Sequence, residues 1–298
     1  MIETTSRFAC FGGDASISVL ADREARDAVD AQRARLLDWN ARFSCFDPGS
    51  ELSRFNADPR EVVPASEDLR RFARAAALAA DLTGGLVDAT LPSVVEAPQT
   101  APPLRLALRL APPRRPAHGR AGRPRIRVDD ATVRRPAGTT LDSGGLAKGL
   151  FADWVAEALS GHAAVAVDCG GDLRITGAPR VVRVTSPFDG SEIHAFELAD
   201  AGVATSGIGR RAWLGGHHLL DPSTGRPAYT GVVQVTAIAP TALEAELRAK
   251  AALLSADPAW LCHGGVVVRD DGSVHVDTGA QAPAPADAAR RGGAVVAV

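Results

Sequence analysis

The sequence predicts an α+β fold. Its helical and strand patterns are mixed along the chain without the strict alternation that a doubly wound parallel sheet requires. At 298 residues the chain is long enough for one large domain or two small ones with a full hydrophobic core. No internal repeat recurs at a fixed period, so solenoids and propellers are excluded.

Residues 15–20 (ASISVL) alternate as a strand after Gly12-Gly13, and residues 21–43 follow as a charged, Ala-rich helix with Val29, Leu36 and Leu37 on its apolar side. The next segment, FSCFDPGSELSRFN, is dense in turn formers. Ser66 is placed to cap a helix running through Leu82, which Gly84-Gly85 terminate. Residues 97–127 are rich in Arg and Pro and contain no acidic residue, which predicts an exposed, flexible and only partly ordered excursion rather than a surface for anions or nucleic acid. A helix over 146–160 sets Phe151, Val155 and Leu159 at four-residue spacing, with Leu150 and Trp154 beside them. Strands are expected at 164–168, 181–185, 193–198, 232–240 and 264–270, with a helix at 241–256 between the last two. Residues 279–298 read as a loose tail.

Charge and composition narrow the function classes. A net charge of −2, with no basic stretch carrying interleaved aromatics, argues against a nucleic-acid partner. No apolar run is long enough to span a membrane. The first twenty residues, with Glu3 and Asp14 and no apolar stretch, do not read as a signal peptide, so a cytoplasmic location is expected. Cys10, Cys45, Cys169 and Cys262 are scattered without a C-x-x-C pair, and four buried thiols are expected rather than zinc ligands.

The strongest chemical signal is the nonapeptide at 141–149, Leu-Asp-Ser-Gly-Gly-Leu-Ala-Lys-Gly, which runs into a helix. Gly144 and Gly145 let backbone approach a ligand, the helix N-terminus presents unpaired N–H groups, and Lys148 adds a cation suited to phosphate. It is neither a Walker A loop nor a dinucleotide fingerprint, because the glycine spacing and the residues around the lysine are wrong for both. Five other short segments stand out. They are SELSRFN (50–56), GGLVD (84–88), DCGGD (168–172), ATSG (204–207) with Arg210-Arg211, and HHLLDPSTG (217–225). Taken singly, each also reads as an ordinary turn, and the two adjacent His residues, which point to opposite faces of a strand, read as solvated or core side chains.

Taken together and in this order, SELSRFN, GGLVDAT, LDSGGLAKGLFAD, CGGDLRITG, ATSG and HHLLDPSTGRP, followed by VTAIAPTA before the last helix, resemble the ApbE family of FAD:protein FMN transferases. The resemblance implies a single α+β domain over 8–278, similar to the T-fold group. It implies an enzyme that cleaves the pyrophosphate of FAD, attaches FMN through a phosphoester to a Thr or Ser of an acceptor protein, and releases AMP. Residue by residue, it implies His218 as the base, Asp221 as its neighbour, and Lys148 at the phosphates. It implies a flavin and adenine site around Gly12, Asn56, Asp88, Gly144, Gly145, Gly170, Gly171, Asp172, Thr205 and Ser206. It also implies Mg²⁺, held by the Ala147 carbonyl and by an Asp and a Thr four residues apart on the late helix.

This chain departs from the family pattern on that helix, where Glu246 and Lys250 occupy the two ligand positions. A charged Lys cannot ligate a cation. Either the Lys250 ammonium, held by Glu246 one helical turn away, replaces the metal, or Lys250 is a solvated partner of Glu246 and metal still binds. Phe11-Gly12-Gly13 also replaces the M-G-T that precedes the family's first strand. An FAD pyrophosphatase, with water in place of the acceptor hydroxyl, and a non-catalytic FAD-binding protein are the alternative functions.

Overall fold

The computed structural model describes residues 1–91, 102–279 and 295–297. Eight strands form one sheet in which the spatial order repeats the chain order: β1 (Ile2–Cys10), β2 (Gly13–Ala21), β3 (Ala164–Cys169), β4 (Asp172–Thr176), β5 (Gly202–Gly207), β6 (Val232–Ala239), β7 (Gly265–Arg269) and β8 (Val274–Asp277). Each pairs antiparallel with the next. Phe11 and Gly12 make the β1–β2 turn with φ of 56° and 73°. Two successive positive φ values match the right-handed twist of the flanking strands, and only the glycine adopts them freely.

The remaining elements are insertions between neighbouring strands. Between β2 and β3 lie the helices α1 (Arg26–Arg42), α2 (Glu51–Ala57), α3 (Glu67–Leu82), α4 (Leu104–Leu108) and α5 (Ala147–Ala158), with a small sheet of Val62–Pro64, Thr132–Arg134 and Arg127–Val128. A hairpin, Arg180–Thr185 and Glu192–Leu198, joins β4 to β5. Two short ladders, Ala212–Trp213 with Gly216–His217 and Leu220–Asp221 with Arg226–Pro227, join β5 to β6. The helix α6 (Ala242–Ser255) and the 3₁₀ turn Pro258–Leu261 join β6 to β7.

Side chains from the two parts of the sheet fill two cores. Ile17 and Val19 of β2 and Val165 and Val167 of β3 pack with Leu36, Trp39, Phe72, Phe151 and Val155 of the helices. Leu173 and Ile175 of β4 and Val203 of β5 pack with Val182, Val184, Phe196 and Leu198 of the hairpin. The α3 helix forms where expected: Ser66 Oγ accepts the Leu69 N–H at 3.2 Å, and Gly84 and Gly85 end it at positive φ.

Several expectations need correction. Strands β1, β4, β5 and β8 were not anticipated, and α2 lies inside the stretch read as turns, with Ser50 as its cap. On α1 the inner face is Val29, Gln32, Leu36 and Trp39, while Leu37 is exposed. Cys10 and Cys169 are buried, but Cys45 is half-buried and Cys262 exposed. Within the Arg/Pro-rich stretch, residues 97–101 lie outside the described residues. The described part is mostly exposed and anchored at a few points. It contains α4 and an extended strap whose Arg115 and Ala117 N–H groups donate to the Tyr229 and Leu254 carbonyls at 2.6 and 2.7 Å. Most of the expected tail is also outside the described residues, yet Val295–Ala297 adds a parallel strand to the hairpin. No helix among the described residues is long and apolar enough to cross a membrane.

Candidate functional site

The segment ahead of α5 is held from both sides. The Asn56 amide donates to the Leu141 carbonyl and accepts the Leu141 N–H, both at 2.8 Å, and Ser143 Oγ donates to the Phe43 carbonyl at 2.8 Å. Asp142 Oδ1 accepts the Gly144 N–H, while a side chain at Gly145 would meet only open space. Lys148, in the first turn of α5, reaches across to the β3–β4 turn and pairs with Asp172 Oδ2 at 2.7 Å. In that turn Gly170 and Gly171 take φ of 67° and 95°, and the Gly171 N–H donates to Asp168. Both ends of the Asn56 amide thus hold the segment's backbone.

The α6 helix crosses α5 at Gly149 so closely that a Cβ there would lie 2.6 Å from the Ala242 carbonyl oxygen. This approach lets the Gly149 N–H donate to Glu246 Oε2 at 2.9 Å, and Glu246 Oε1 accepts from Lys250 Nζ at 2.7 Å. Lys148, Asp172, Glu246 and Lys250 thus form one buried set of alternating charges. Burial raises Asp172 to about 6 against the pull of the two lysines. Burial opposes ionisation of Glu246 as well, but Lys250 and Lys148 outweigh it and hold the carboxyl below its ordinary range. For Lys148 burial is outweighed by Asp172 and Glu246, and its pKa is raised. The two carboxylates are almost fully buried, where pairing with a cation is required.

Above this set lies a cleft walled by Asp88, Asp142, Gly145, His218 and Lys250, among others. These residues lie far apart in the chain and are brought together by α5, α6 and the β5–β6 insertion. His217 and His218 diverge. His217 Nε2 bonds the Ala228 carbonyl at 2.8 Å inside the fold. His218 faces the cleft, and its Nδ1 is buried without a hydrogen-bond partner. Burial, reinforced by Arg211, His217 and Lys250, lowers the His218 pKa to about 3, so the ring is neutral near pH 7.

The other expected residues are distributed around this centre. Asp88 pairs with Arg120 at 3.0 Å and accepts from Thr90 Oγ1 at 2.6 Å. Asp221 closes the turn after His218, accepting from the Ser223 N–H and hydroxyl at 2.9 and 2.8 Å. Thr205 Oγ1 bonds Thr236 Oγ1 at 2.7 Å across β5 and β6, and Ser206 is buried. Gly12 stands in the β1–β2 turn. Sequence reasoning missed Asp153, whose carboxylate accepts the Ala242 and Leu243 N–H groups at the start of α6, both at 2.9 Å. It also missed Arg120, since the stretch around it reads as solvent-exposed. The D in GLFAD was the available signal for Asp153.

The donor set does not fit Mg²⁺. Both Glu246 oxygens are engaged, Lys250 is a cation, and among the described residues no group of three carboxylate, imidazole or thiol side chains converges to hold a metal.

Comparison with known proteins places the chain among relatives. A family model described as the ApbE family matches residues 11–262. The FAD:protein FMN transferase of Haemophilus influenzae is 28% identical over 264 residues, covering 78% of this chain and 72% of that protein. The FAD:protein FMN transferase of Treponema pallidum is 34% identical over 136 residues, which span only 39% of this chain and 38% of that protein. Among solved structures, the apbe protein of Thermotoga maritima superposes with a TM-score of 0.73 at 26% identity, covering 93% of this chain and 97% of that one. The flavin transferase ApbE of Vibrio cholerae gives 0.70 at 21% identity, covering 93% and 97%, a likeness of fold.

Proposed function

The chain belongs to the ApbE family, and from that premise we propose that it transfers FMN from FAD to a Thr or Ser hydroxyl of an acceptor protein, releasing AMP. The observation that carries this reading is the cleft itself, where a neutral buried imidazole and a lysine ammonium share walls with the open Gly145. A hydroxyl attacking a pyrophosphate meets negative charge, so the work of the site is neutralisation and positioning.

In the proposed reaction the acceptor Oγ attacks the phosphorus of the FMN half. A P–Oγ bond forms, the bridging P–O bond to AMP breaks, and AMP leaves with the bridging electrons. His218 takes the hydroxyl proton, and the dianion beside it raises the proton affinity of a ring that is a weak base in the free protein. Lys148 and the N-terminus of α5 face the phosphates. Asp221 fixes the turn that follows His218. Gly145 keeps its part of the cleft wall bare for the flavin nucleotide beside Asp88, and Gly144, Gly170, Gly171, Asp172, Thr205 and Ser206 are assigned to the same nucleotide site. No step is assigned to a metal, because the donors present do not fit one.

The test is incubation with FAD and a small domain bearing an acceptor Thr. Equal yields of protein-bound FMN and AMP support transfer. Free FMN with AMP would show hydrolysis instead, and unchanged FAD would show binding alone. His218→Ala is expected to lower the transfer rate by about 10²-fold or more, as loss of a general base does.

A further inference from the structure

Lys250 has an unusual setting for a lysine. Its side chain is 12% exposed, and that of its partner Glu246 is 1% exposed. A solvated surface pair is thereby excluded. Long cationic side chains are rarely buried unless they are paired, and such pairs barely repay their desolvation, so stability alone gives little reason for this one. The pair is also placed where charge matters to a ligand, since Lys250 lines the cleft with Gly145 and His218.

The geometry leaves the cation available and the carboxylate occupied. Glu246 Oε1 holds Lys250 Nζ at 2.7 Å, and Oε2 holds the Gly149 N–H at 2.9 Å. A divalent ion at Glu246 would have to share oxygens that already accept these two bonds and sit against the charges of Lys250 and Lys148. An ammonium has three donors. One is used on Glu246, leaving donors for oxygens entering the cleft.

We propose that the Lys250 ammonium, positioned by Glu246, is the resident cation that neutralises the bound pyrophosphate, so that FAD binding and AMP release require no divalent metal. This rests on the flavin reading above. Glu246 is a positioning residue: it sets where the ammonium stands and meets no phosphate itself.

Flavin fluorescence titrations with the full chain, stripped with EDTA and then with or without excess Mg²⁺, test it first without any variant. The expected result is the same Kd for FAD in both buffers. Binding that is lost in EDTA and restored by Mg²⁺ would overturn the proposal. Lys250→Met, checked for folding by circular dichroism, is expected to weaken FAD binding about tenfold or more in EDTA. Unchanged binding in a folded Lys250→Met variant would also overturn it. The double variant Glu246→Asp with Lys250→Thr is expected to bind FAD in a Mg²⁺-dependent way and to show a bound Mn²⁺ by electron paramagnetic resonance that the unaltered chain lacks. A bound Mn²⁺ in the unaltered chain counts against the proposal. Failure to bind FAD in every buffer would reject the flavin reading itself, an outcome distinct from rescue by Mg²⁺.

Discussion

Arg135 is 1% exposed, and among the described residues no carboxylate accepts a hydrogen bond from it. Its guanidinium donates to the carbonyls of Phe55, Asp58 and Thr139 and lies 4.5 Å over the Phe55 ring. These contacts tie α2 to the strand that leads into residues 141–149. Arg135→Met leaves three carbonyls without their donor and is expected to cost about 3 kcal/mol or more, read from urea denaturation. Nothing in the sequence marks this residue, because its partners are backbone atoms. Lys148 and Asp172 were legible singly, each within its own glycine-rich motif, but their pairing was not. His217 gives a second residue-level expectation. Folded His217 titrates near 4 because burial disfavours its charged form, whereas the ordinary value is 6.5. Its contribution is complete above pH 6.5 and is lost as pH falls toward 4, on the order of 3 kcal/mol. Asp153, raised by burial to about 6, acts with the opposite sign, contributing at low pH and losing its effect as pH rises through 6. The comparison with His217→Gln isolates the histidine: the variant's urea midpoint should fall less between pH 6.5 and 4.

At the scale of elements, the helices were legible where a cap and an apolar stripe coincide. Ser66, Gly84 and Gly85 bound α3, and Phe151 and Val155 of α5 face the core together with Leu159, which caps it. Strand β4 is hidden by its polar residues and the Gly170-Gly171 turn before it, and β5 by its own glycines and polar residues, which look like turns when read locally. Gly202 shows why: a Cβ there would sit 2.1 Å from the Thr241 backbone, so the glycine marks the close passage of the α6 N-terminus over the sheet. The crossing of α5 and α6 at Gly149 has the same character and bears directly on the site. Gly149→Ala would push the helices apart, stretch the Gly149–Glu246 hydrogen bond and shift Lys250 away from the cleft. The expected outcome is a loss of about 2 kcal/mol in thermal or urea unfolding, together with weaker FAD binding than in an Ala152→Ser control on the same helix. Unchanged flavin affinity with reduced stability would separate the helix crossing from the site.

Across the whole molecule, the sheet is a simple meander, and the chemistry lies almost entirely in what is inserted between its strands. The order of the motifs could be read from the chain, but their convergence could not, since Gly145 and His218 meet only after two insertions fold back toward each other. Composition marks the strap at 111–123 as exposed, and most of its residues are exposed, but arginine and proline without acids do not name the partners that its backbone and side chains find. The backbone of this stretch bonds to the loop before β6 and to the end of α6. Its side chains reach α3 and the cleft wall, Arg123 pairing with Asp81 and Arg120 with Asp88. At Gly119 the strap passes so near the α3 terminus that a Cβ would fall 1.8 Å from the Gly84 carbonyl oxygen. Gly119→Ala should therefore lift the strap while leaving the sheet intact. Limited trypsin digestion reads this directly, because the strap holds several arginines that its backbone contacts protect. The folded chain is expected to resist cleavage over 109–125, and the variant to be cut there rapidly while its melting transition persists. Equal cleavage rates in the two proteins would show that the strap does not depend on the Gly119 passage.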